Sequence, residues 1–211
     1  MFRPRFLNIV RYFLPVMTWE VKGDTDGVYL TIDDGPTPGI TEWILNELDN
    51  KGVKATFFCL GKNVEMYPDL YERIIAAGHI VGNHSYSHVK GWQVSTPRSA
   101  ADVDFANQLV FSELFRPPYG RITNRQARIL GERYRLVMAS IVSQDYNSLV
   151  HPRKCLRNVT KFVRAGDIIV FHDSLKSYRN MRYALPRAID HIKKMGLEFK
   201  LLEFEKEKHG E

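Results

Sequence analysis

Apolar and polar residues follow one another along the chain in blocks that predict strands and helices in alternation. Runs such as residues 28–32 and 55–60 are apolar without period-two alternation, which is typical of strands buried on both faces. The segment that starts near Thr41 has apolar residues at helical spacing, and Gly52 stands just past its end. By the same criteria, further strands are predicted at residues 79–81, 114–115, 136–142, 167–171 and 197–202, and further helices at 70–78, 97–110, 124–134, 152–163 and 183–195.

The order of these elements predicts the fold class. About seven strands alternate with helices, and strict alternation implies βαβ units around a parallel sheet. A dinucleotide-binding open sheet would carry a Gly-rich phosphate turn after its first strand, and this chain has Asp33-Asp34-Gly35-Pro36 there. We therefore expect an α/β protein built as an incomplete or distorted (β/α) barrel.

The length of 211 residues suits one domain, which we predict at residues 25–204. An N-terminal arm at 1–24 precedes it, and a charged tail at 205–211 follows it. The arm has a basic start and an apolar run, but Arg11 and Pro15 interrupt that run and no cleavage site follows. We expect a cytoplasmic protein whose arm packs on the domain or makes a weak contact with a membrane surface.

Charge and cysteine usage exclude some functions. The net charge of +6 comes from scattered Lys and Arg residues, and no nucleic-acid-binding motif accompanies it, so we expect no nucleic-acid partner. The two cysteines, Cys59 and Cys155, lack the spacing of a zinc knuckle and form no disulfide framework. We expect both to be buried thiols.

Ionisable residues follow five of the predicted strands. In a (β/α) barrel the carboxyl ends of the strands share one rim, where catalytic residues lie. The sequence therefore predicts one site on that rim from residues distant in the chain. The groups that follow the strands are Asp33 and Asp34, His84 and His88, Arg116, Asp145, and His172.

His84 and His88 are the candidate metal ligands. Their spacing of four places both rings on one face of a helical turn, where two imidazoles can hold one cation. Either Asp33 or Asp34 can supply a third ligand, and two histidines with one carboxylate suit zinc or a similar divalent transition metal. The Asp-Asp-Gly-Pro segment also has the composition of a simple turn. Adjacent buried carboxylates nevertheless repel unless a cation such as Arg116 compensates them.

The remaining histidines divide into one candidate and four structural residues. His172 emerges from a buried strand at the rim, so we interpret it as a proton donor. His79, His151, His191 and His209 lie near element starts, within a helix or in the tail, and we expect structural roles for them.

These motifs together resemble those of the polysaccharide deacetylases, which share the NodB homology domain and form carbohydrate esterase family 4. The resemblance extends over residues 28–202, and five motifs occur in the family's order. They are Thr31-Ile32-Asp33-Asp34-Gly35-Pro36, His84-Ser85-Tyr86-Ser87-His88, Arg116-Pro117-Pro118-Tyr119, Asp145-Tyr146 and Val170-Phe171-His172.

The resemblance implies a role for each matched residue. It implies one divalent metal, zinc before cobalt, nickel or manganese, bound by Asp34, His84 and His88. It also implies that Asp33 is the general base, oriented by Arg116, and that His172 is the general acid, held by Asp145. The backbone N–H of Tyr119 would stabilise the oxyanion.

The chain departs from the family pattern at positions that shape the substrate groove. Ile32 and Val170 replace Phe and Leu, Tyr146 replaces Trp, and Val142 stands where an Asp is frequent. We expect Tyr119, Tyr146 and Trp92 to contact sugar, and Tyr86 is a further candidate for stacking.

The resemblance implies removal of acetyl groups from N-acetylated amino sugars, and two alternatives remain open. One is deformylation or another amide hydrolysis on a lipid-linked amino sugar, which the basic, apolar N-terminus would suit. The other is an inactive carbohydrate-binding protein, which the complete set of metal and acid–base residues argues against.

Overall fold

The computed structural model describes residues 17–204, in which strands and helices alternate as expected. The strands are β1 (Met17–Thr18), β2 (Gly27–Asp33), β3 (Thr56–Cys59), β4 (Ile80–Asn83), β5 (Leu114–Phe115), β6 (Arg135–Val137), β7 (Ile141–Val142), β8 (Ile168–His172) and β9 (Glu198–Phe199). The helices are α1 (Ile40–Asn50), α2 (Gly61–Met66), α3 (Pro68–Ala76), α4 (Thr96–Val110), α5 (Asn124–Gly131), α6 (Pro152–Thr160) and α7 (Tyr178–Lys194).

The strands form one parallel sheet that curls toward closure. Its order is β1-β6-β5-β4-β3-β2-β8-β7, and β9 pairs separately with β2. β6 lies next to one end of this order and β7 forms the other end, yet only residues 138–140 separate them in the chain. Because so short a segment spans no more than about 14 Å, the two ends of the sheet nearly meet. The expectation of an incomplete (β/α) barrel is confirmed.

The single strand expected at residues 136–142 is wrong, because the chain changes neighbours in the middle of that segment. The N–H of Met138 donates to the carbonyl of Thr18 at 2.7 Å, beside β1. The N–H of Ser140 donates to the carbonyl of Ile168 at 3.0 Å, beside β8. The segment is therefore two strands on opposite sides of the barrel's gap.

Two helices also differ from the expectation. α2 is a six-residue helix that was not expected, because with only Gly61 and Val64 buried it is too short for a periodic signal. α7 begins at Tyr178, five residues before the predicted start, and continues through Pro186.

Successive side chains of β2 point into two different apolar clusters, and this alternation sets the position of the site. Val28, Leu30 and Ile32 pack outward into the main core with the helices, whereas Tyr29 belongs to a smaller cluster with Phe58 and other strand residues. Since side chains alternate along a strand, Thr31 and Asp33 lie on the same face as Tyr29. A strand buried on both faces thus carries its last carboxylate into the barrel interior.

Met17 and Thr18 pair with β6, and the backbone of Glu20 forms an isolated antiparallel β-bridge with Asp167. The described end of the expected arm therefore lies against the sheet. Residues 1–16 and 205–211 lie outside the described range. The domain boundaries, the tail and the membrane contact of the arm therefore stay predictions, as does the cytoplasmic location. None of the helices within residues 17–204 has the length and apolarity to cross a bilayer. Cys59 and Cys155 are free and buried, as expected.

Candidate active site

The rim at the carboxyl ends of the strands brings the candidate residues together. Asp33, the last residue of β2, is in register with His172, the last residue of β8. His84 follows β4 directly, and its N–H donates to the carbonyl of Cys59 at the end of β3. Because all these strands are parallel, their loops open on the same side.

Asp34, His84 and His88 form one cluster of possible ligand atoms. Their nearest atoms all lie within 4.8 Å of one another. Oδ1 of Asp34 is 3.3 Å from Nε2 of His88 and 3.7 Å from Nε2 of His84. Nδ1 of His84 lies 2.7 Å from the carbonyl of Arg116, a bond that leaves Nε2 facing Asp34.

The segment 84–88 is a loop, so the helical-turn argument for the histidine pair is wrong even though the two rings meet at 5.2 Å. Ser85 and His88 have positive φ values of 68° and 57°. The N–H of His88 donates to Oγ of Ser85 at 3.1 Å, and the Asp102 carboxylate accepts from Ser87 Oγ at 2.6 Å. A tight turn held from α4, and not helical periodicity, brings the rings together.

The cluster suits a divalent metal on two independent observations. Oδ1 of Asp34 is buried and has no hydrogen-bond partner, which is rare unless a ligand is missing. Burial lowers the pKa of both His84 and His88 to about 4, against the pull of nearby carboxylates, so both rings are neutral near pH 7. Neutral imidazoles and an ionised carboxylate are the forms that bind a cation.

Asp33 and Arg116 form a buried ion pair beside this cluster. Nη1 of Arg116 donates to Oδ1 of Asp33 at 2.7 Å and to Oγ1 of Thr31 at 2.6 Å. Nη2 and Nε donate to the carbonyls of Met138 and Val137, at the end of β6. The guanidinium thus links β2 to the end of β6 and fixes the orientation of Asp33.

His172 and Asp145 form the second buried pair. Nδ1 of His172 is 2.8 Å from Oδ1 of Asp145, and the His172 N–H donates to Oδ2 at 2.8 Å. Ser143 Oγ and the Tyr146 N–H donate to the same carboxylate, so Asp145 is fully bonded. Burial alone would lower the pKa of His172, but the Asp145 carboxylate outweighs it and raises the pKa to about 9. The ring is therefore protonated near neutral pH.

Aromatic side chains border the cluster on two sides. The Tyr119 ring lies 4.6 Å from the His88 ring, and the Trp92 ring meets Tyr119 edge-on at 5.6 Å. The Tyr146 ring lies 4.8 Å from the His172 ring. Tyr86 points elsewhere, since its ring packs on Phe105 and its hydroxyl donates to Glu65.

Two of the four histidines expected to be structural, His79 and His151, have local partners. Nδ1 of His79 accepts from the Ala55 N–H and its ring packs on Phe57, and burial lowers its pKa to about 4. Nδ1 of His151 accepts from the Arg153 N–H at the start of α6. His209 lies outside the described residues.

Sequence reasoning missed several residues that hold the site. Thr31 shares the inner face of β2 with Asp33, a signal that the period of two already contained. Asp173 is fully buried against Gly35, and its N–H donates to the Asp33 carbonyl at 2.6 Å. Asn180 of α7 donates to the carbonyls of Asp145 and Asn147, a contact with no local sequence signal.

Backbone strain is concentrated at the rim. Six described residues other than glycine have positive φ, and five of them belong to the loops of the site. Such conformations cost about 1–3 kcal/mol each and persist where surrounding contacts enforce them, as at functional sites. The five are Asp34, Ser85, His88, Tyr119 and Gln144.

Known proteins are similar to this chain in both sequence and architecture. The sequence profile of the polysaccharide deacetylase family matches residues 20–134. A peptidoglycan-N-acetylglucosamine deacetylase of Bacillus cereus is 30% identical over 191 residues, which cover 87% of this chain and 89% of the relative.

Solved structures agree with the profile. The structure of a peptidoglycan N-acetylglucosamine deacetylase in complex with 4-naphthalen-1-yl-N-oxidanyl-benzamide matches with a TM-score of 0.83 at 28% identity, covering 93% of this chain and 95% of that one. A mutant of a Bacillus anthracis pseudoenzyme of the CE4 family, with restored enzymatic activity, matches with a TM-score of 0.79 at 25% identity, covering 87% and 68%. With more than half of its length matched by the profile and its barrel shared with these structures, the chain belongs to the polysaccharide deacetylase family of hydrolases.

Proposed function

We propose that this protein is a metal-dependent hydrolase that removes acetyl groups from the nitrogen of N-acetylated amino sugars in oligosaccharides or polysaccharides. The observation that carries the proposal is the cluster of Asp34, His84 and His88, flanked by the Asp33–Arg116 and His172–Asp145 pairs. The similarity to peptidoglycan-N-acetylglucosamine deacetylases supports an N-acetylated sugar as the substrate.

The ligand set suits zinc best, with cobalt, nickel or manganese as substitutes. Two neutral imidazoles and one carboxylate on a partly open rim leave room for water and substrate. When bound, such an ion lowers the pKa of a coordinated water and polarises the acyl carbonyl. The carbonyl of Arg116 keeps Nδ1 of His84 engaged, so Nε2 is the nitrogen that binds.

Asp33 is the proposed general base. Its Oδ1 accepts a hydrogen bond from Arg116 Nη1 at 2.7 Å, which fixes the orientation of the carboxylate. The carboxylate takes a proton from the water that attacks the acyl carbon. Because Arg116 is itself held by Thr31, Val137 and Met138, the base needs no reorganisation at that step.

His172 is the proposed general acid, and the backbone N–H of Tyr119 is the proposed donor to the developing oxyanion. His172 is charged near neutral pH, so it can protonate the nitrogen that leaves as the C–N bond breaks. Asp145 binds Nδ1, which leaves Nε2 as the nitrogen that donates. Tyr119, Trp92 and Tyr146 border the site and provide ring surfaces for sugar.

An inactive carbohydrate-binding protein is the other class of function, and the family contains a pseudoenzyme. The buried and ordered acid–base pairs disfavour it here. A binding protein has no need for an unpartnered buried carboxylate oxygen at Asp34 or for a histidine held protonated at His172.

The test combines metal analysis with product release. Purified protein should contain about one divalent metal per chain and release acetate from acetylated chito-oligosaccharides, and chelation should abolish release until metal is restored. N-formylated substrates run in parallel separate a deformylase from a deacetylase. Metal-loaded protein that releases neither acetate nor formate from any acylated amino sugar would refute the hydrolase.

A further inference from the structure

The wall of the site beside His88 pairs two aromatic rings with two cations. Nζ of Lys90 lies 5.8 Å from the centroid of the Tyr119 ring, and Cζ of Arg121 lies 5.1 Å from that of the Trp92 ring. The Tyr119 ring itself contacts the His88 ring at 4.6 Å. Positive charge therefore stands against the surface where sugar would stack.

A buried side chain holds the two halves of this wall together. Gln126, which is 1% exposed, donates from Nε2 to the carbonyl of Gly91 at 2.8 Å. Its Oε1 accepts from the N–H of Thr123 at 3.1 Å. Gln126 thus ties the turn that carries Lys90 and Trp92 to the segment after Arg121, so the arrangement is built into the fold.

The cations of the wall are available to a ligand. Lys90 and Arg121 are exposed, and within residues 17–204 neither forms an ion pair with a carboxylate. The nearby acids are engaged, since Glu65 accepts from Tyr86 and Asp102 accepts from Ser87.

We propose that this wall is an anion-binding subsite, and that Lys90 and Arg121 select sugar chains carrying a carboxylate or phosphate next to the N-acetylated sugar. The inference rests on the proposed function for its substrate class. Aromatic rings alone would serve a neutral sugar chain. Flanking cations strengthen binding only when the substrate carries negative charge. Arg can bind a carboxylate or phosphate with two parallel hydrogen bonds.

The test compares three matched probes that differ only in charge: N-acetylated chito-oligosaccharides that are unmodified, O-carboxymethylated or O-phosphorylated. Binding is measured by titration calorimetry in metal-loaded Asp33→Asn protein, so that turnover does not interfere. We expect the anionic probes to bind about tenfold more tightly at low salt, with the preference shrinking as salt screens the charges. The two anionic arms separate carboxylate from phosphate recognition.

Both cations are replaced together, because exposed ion pairs of this kind contribute modestly one by one. The variant Lys90→Gln/Arg121→Gln should reduce the preference for the anionic probes to within about twofold. Lys161→Gln/Lys194→Gln is the matched control, because it removes the same charge from exposed positions at the carboxyl ends of α6 and α7. The control should retain the preference.

Equal binding of the three probes, or a preference that survives in Lys90→Gln/Arg121→Gln, would overturn the subsite. In chains that retain Asp33, the same charge preference should appear as a lower KM for acetate release. Selective binding of anionic probes without acetate release by those chains would instead overturn the proposed function and leave the subsite standing.

Discussion

The two ends of β2 carry aspartates in opposite circumstances. Before the strand, Asp24 accepts hydrogen bonds from the Gly27 N–H, the Tyr29 hydroxyl and Nζ of Lys200. After the strand, Oδ1 of Asp34 is buried without a partner. At the amino edge of the barrel, the hydrogen bonds of Asp24 stabilise the fold. At the carboxyl edge, Oδ1 of Asp34 remains available to bind a ligand.

The pKa values of Asp24 and Asp34 are shifted in opposite directions, just as their hydrogen bonding differs. Burial would raise the pKa of Asp24, but hydrogen bonds from Tyr29 and Gly27 bring it well below its ordinary value. Burial raises the pKa of Asp34, and the charge of His172 offsets only part of this effect. Folding therefore stabilises the charge at one edge and destabilises it at the other until a cation binds.

The largest effect should separate activity from stability at the carboxyl edge. Asp33→Asn removes the proposed base while its amide oxygen can still accept from Arg116, so kcat should fall about 1,000-fold with metal still bound. Acetate release and metal content are the measurements. Asp24→Asn at the amino edge is the matched control and should keep kcat. Turnover of metal-loaded Asp33→Asn within tenfold of the parent would remove Asp33 from the role of base.

The second effect concerns the acid at the same edge. The proposed general acid, His172, would act in its protonated form, so activity should decline as pH rises through about 9, or through a lower pH once a cation neutralises part of the nearby negative charge. Asp145→Asn removes the charge that raises this pKa, so the alkaline limb should move to lower pH and kcat at neutral pH should fall about 10–100-fold. A pH–kcat profile checks both. An unmoved alkaline limb in Asp145→Asn would contradict the assignment of His172.

The third effect is a difference in the free energy of unfolding between variants at the two edges. In metal-free protein, Asp24→Asn should lower the free energy of unfolding by about 1–2 kcal/mol, because charge-assisted hydrogen bonds are lost. Asp34→Asn should leave it unchanged or raise it by about 1 kcal/mol, because a buried unpartnered charge is removed. Urea denaturation in chelator measures both.

The pH dependence of the third effect follows from linkage. The pKa of Asp24 is lowered on folding, so its contribution is present above the unfolded value of about 4 and disappears as pH falls through the folded value. Equal losses of stability for the two variants at neutral pH would remove the contrast between the edges.

The smallest effect on kcat is expected at Thr31, which contacts Arg116. Thr31→Val keeps the volume but removes an acceptor of Arg116 Nη1, so kcat should fall about 2–10-fold. Thr56→Val is the control, because Thr56 pairs with Thr31 in register and its buried Oγ1 has no partner. It should leave kcat unchanged and stability unchanged or higher. Equal kcat values in the two valine variants would show that Thr31 does not position Arg116.

Local patterns predicted those parts of the fold that depend on near neighbours in the chain. The apolar run at residues 28–32 is a strand buried on both faces, and the helical spacing after Thr41 is α1. The prediction was wrong at residues 136–142, where one apolar run serves two strands. Apolar composition gives the burial of a segment but not the neighbour with which it pairs.

The loop of the histidine pair shows the same limit at the site. Spacing alone suggested a helical turn for His84 and His88, but positive φ values and the hydrogen bonds that Asp102 accepts from the loop produce the contact instead. Asp102 lies on α4, and its approach to the loop depends on helix packing that no local pattern encodes. Phe111, exposed at 82% with a φ of 50° at the end of α4, has no explanation in the contacts around it.

Local patterns in the sequence were enough to predict the α/β alternation and the order of the ionisable groups at the strand ends, since periodicity is local and parallel strands place their carboxyl ends on one rim. Which atoms meet depends on how the folded chain packs. Asp33 and Arg116 are 83 positions apart, and their bond depends on strand order and on the barrel's gap. Contacts of such separation follow from the packing of the whole chain, which short-range patterns do not contain.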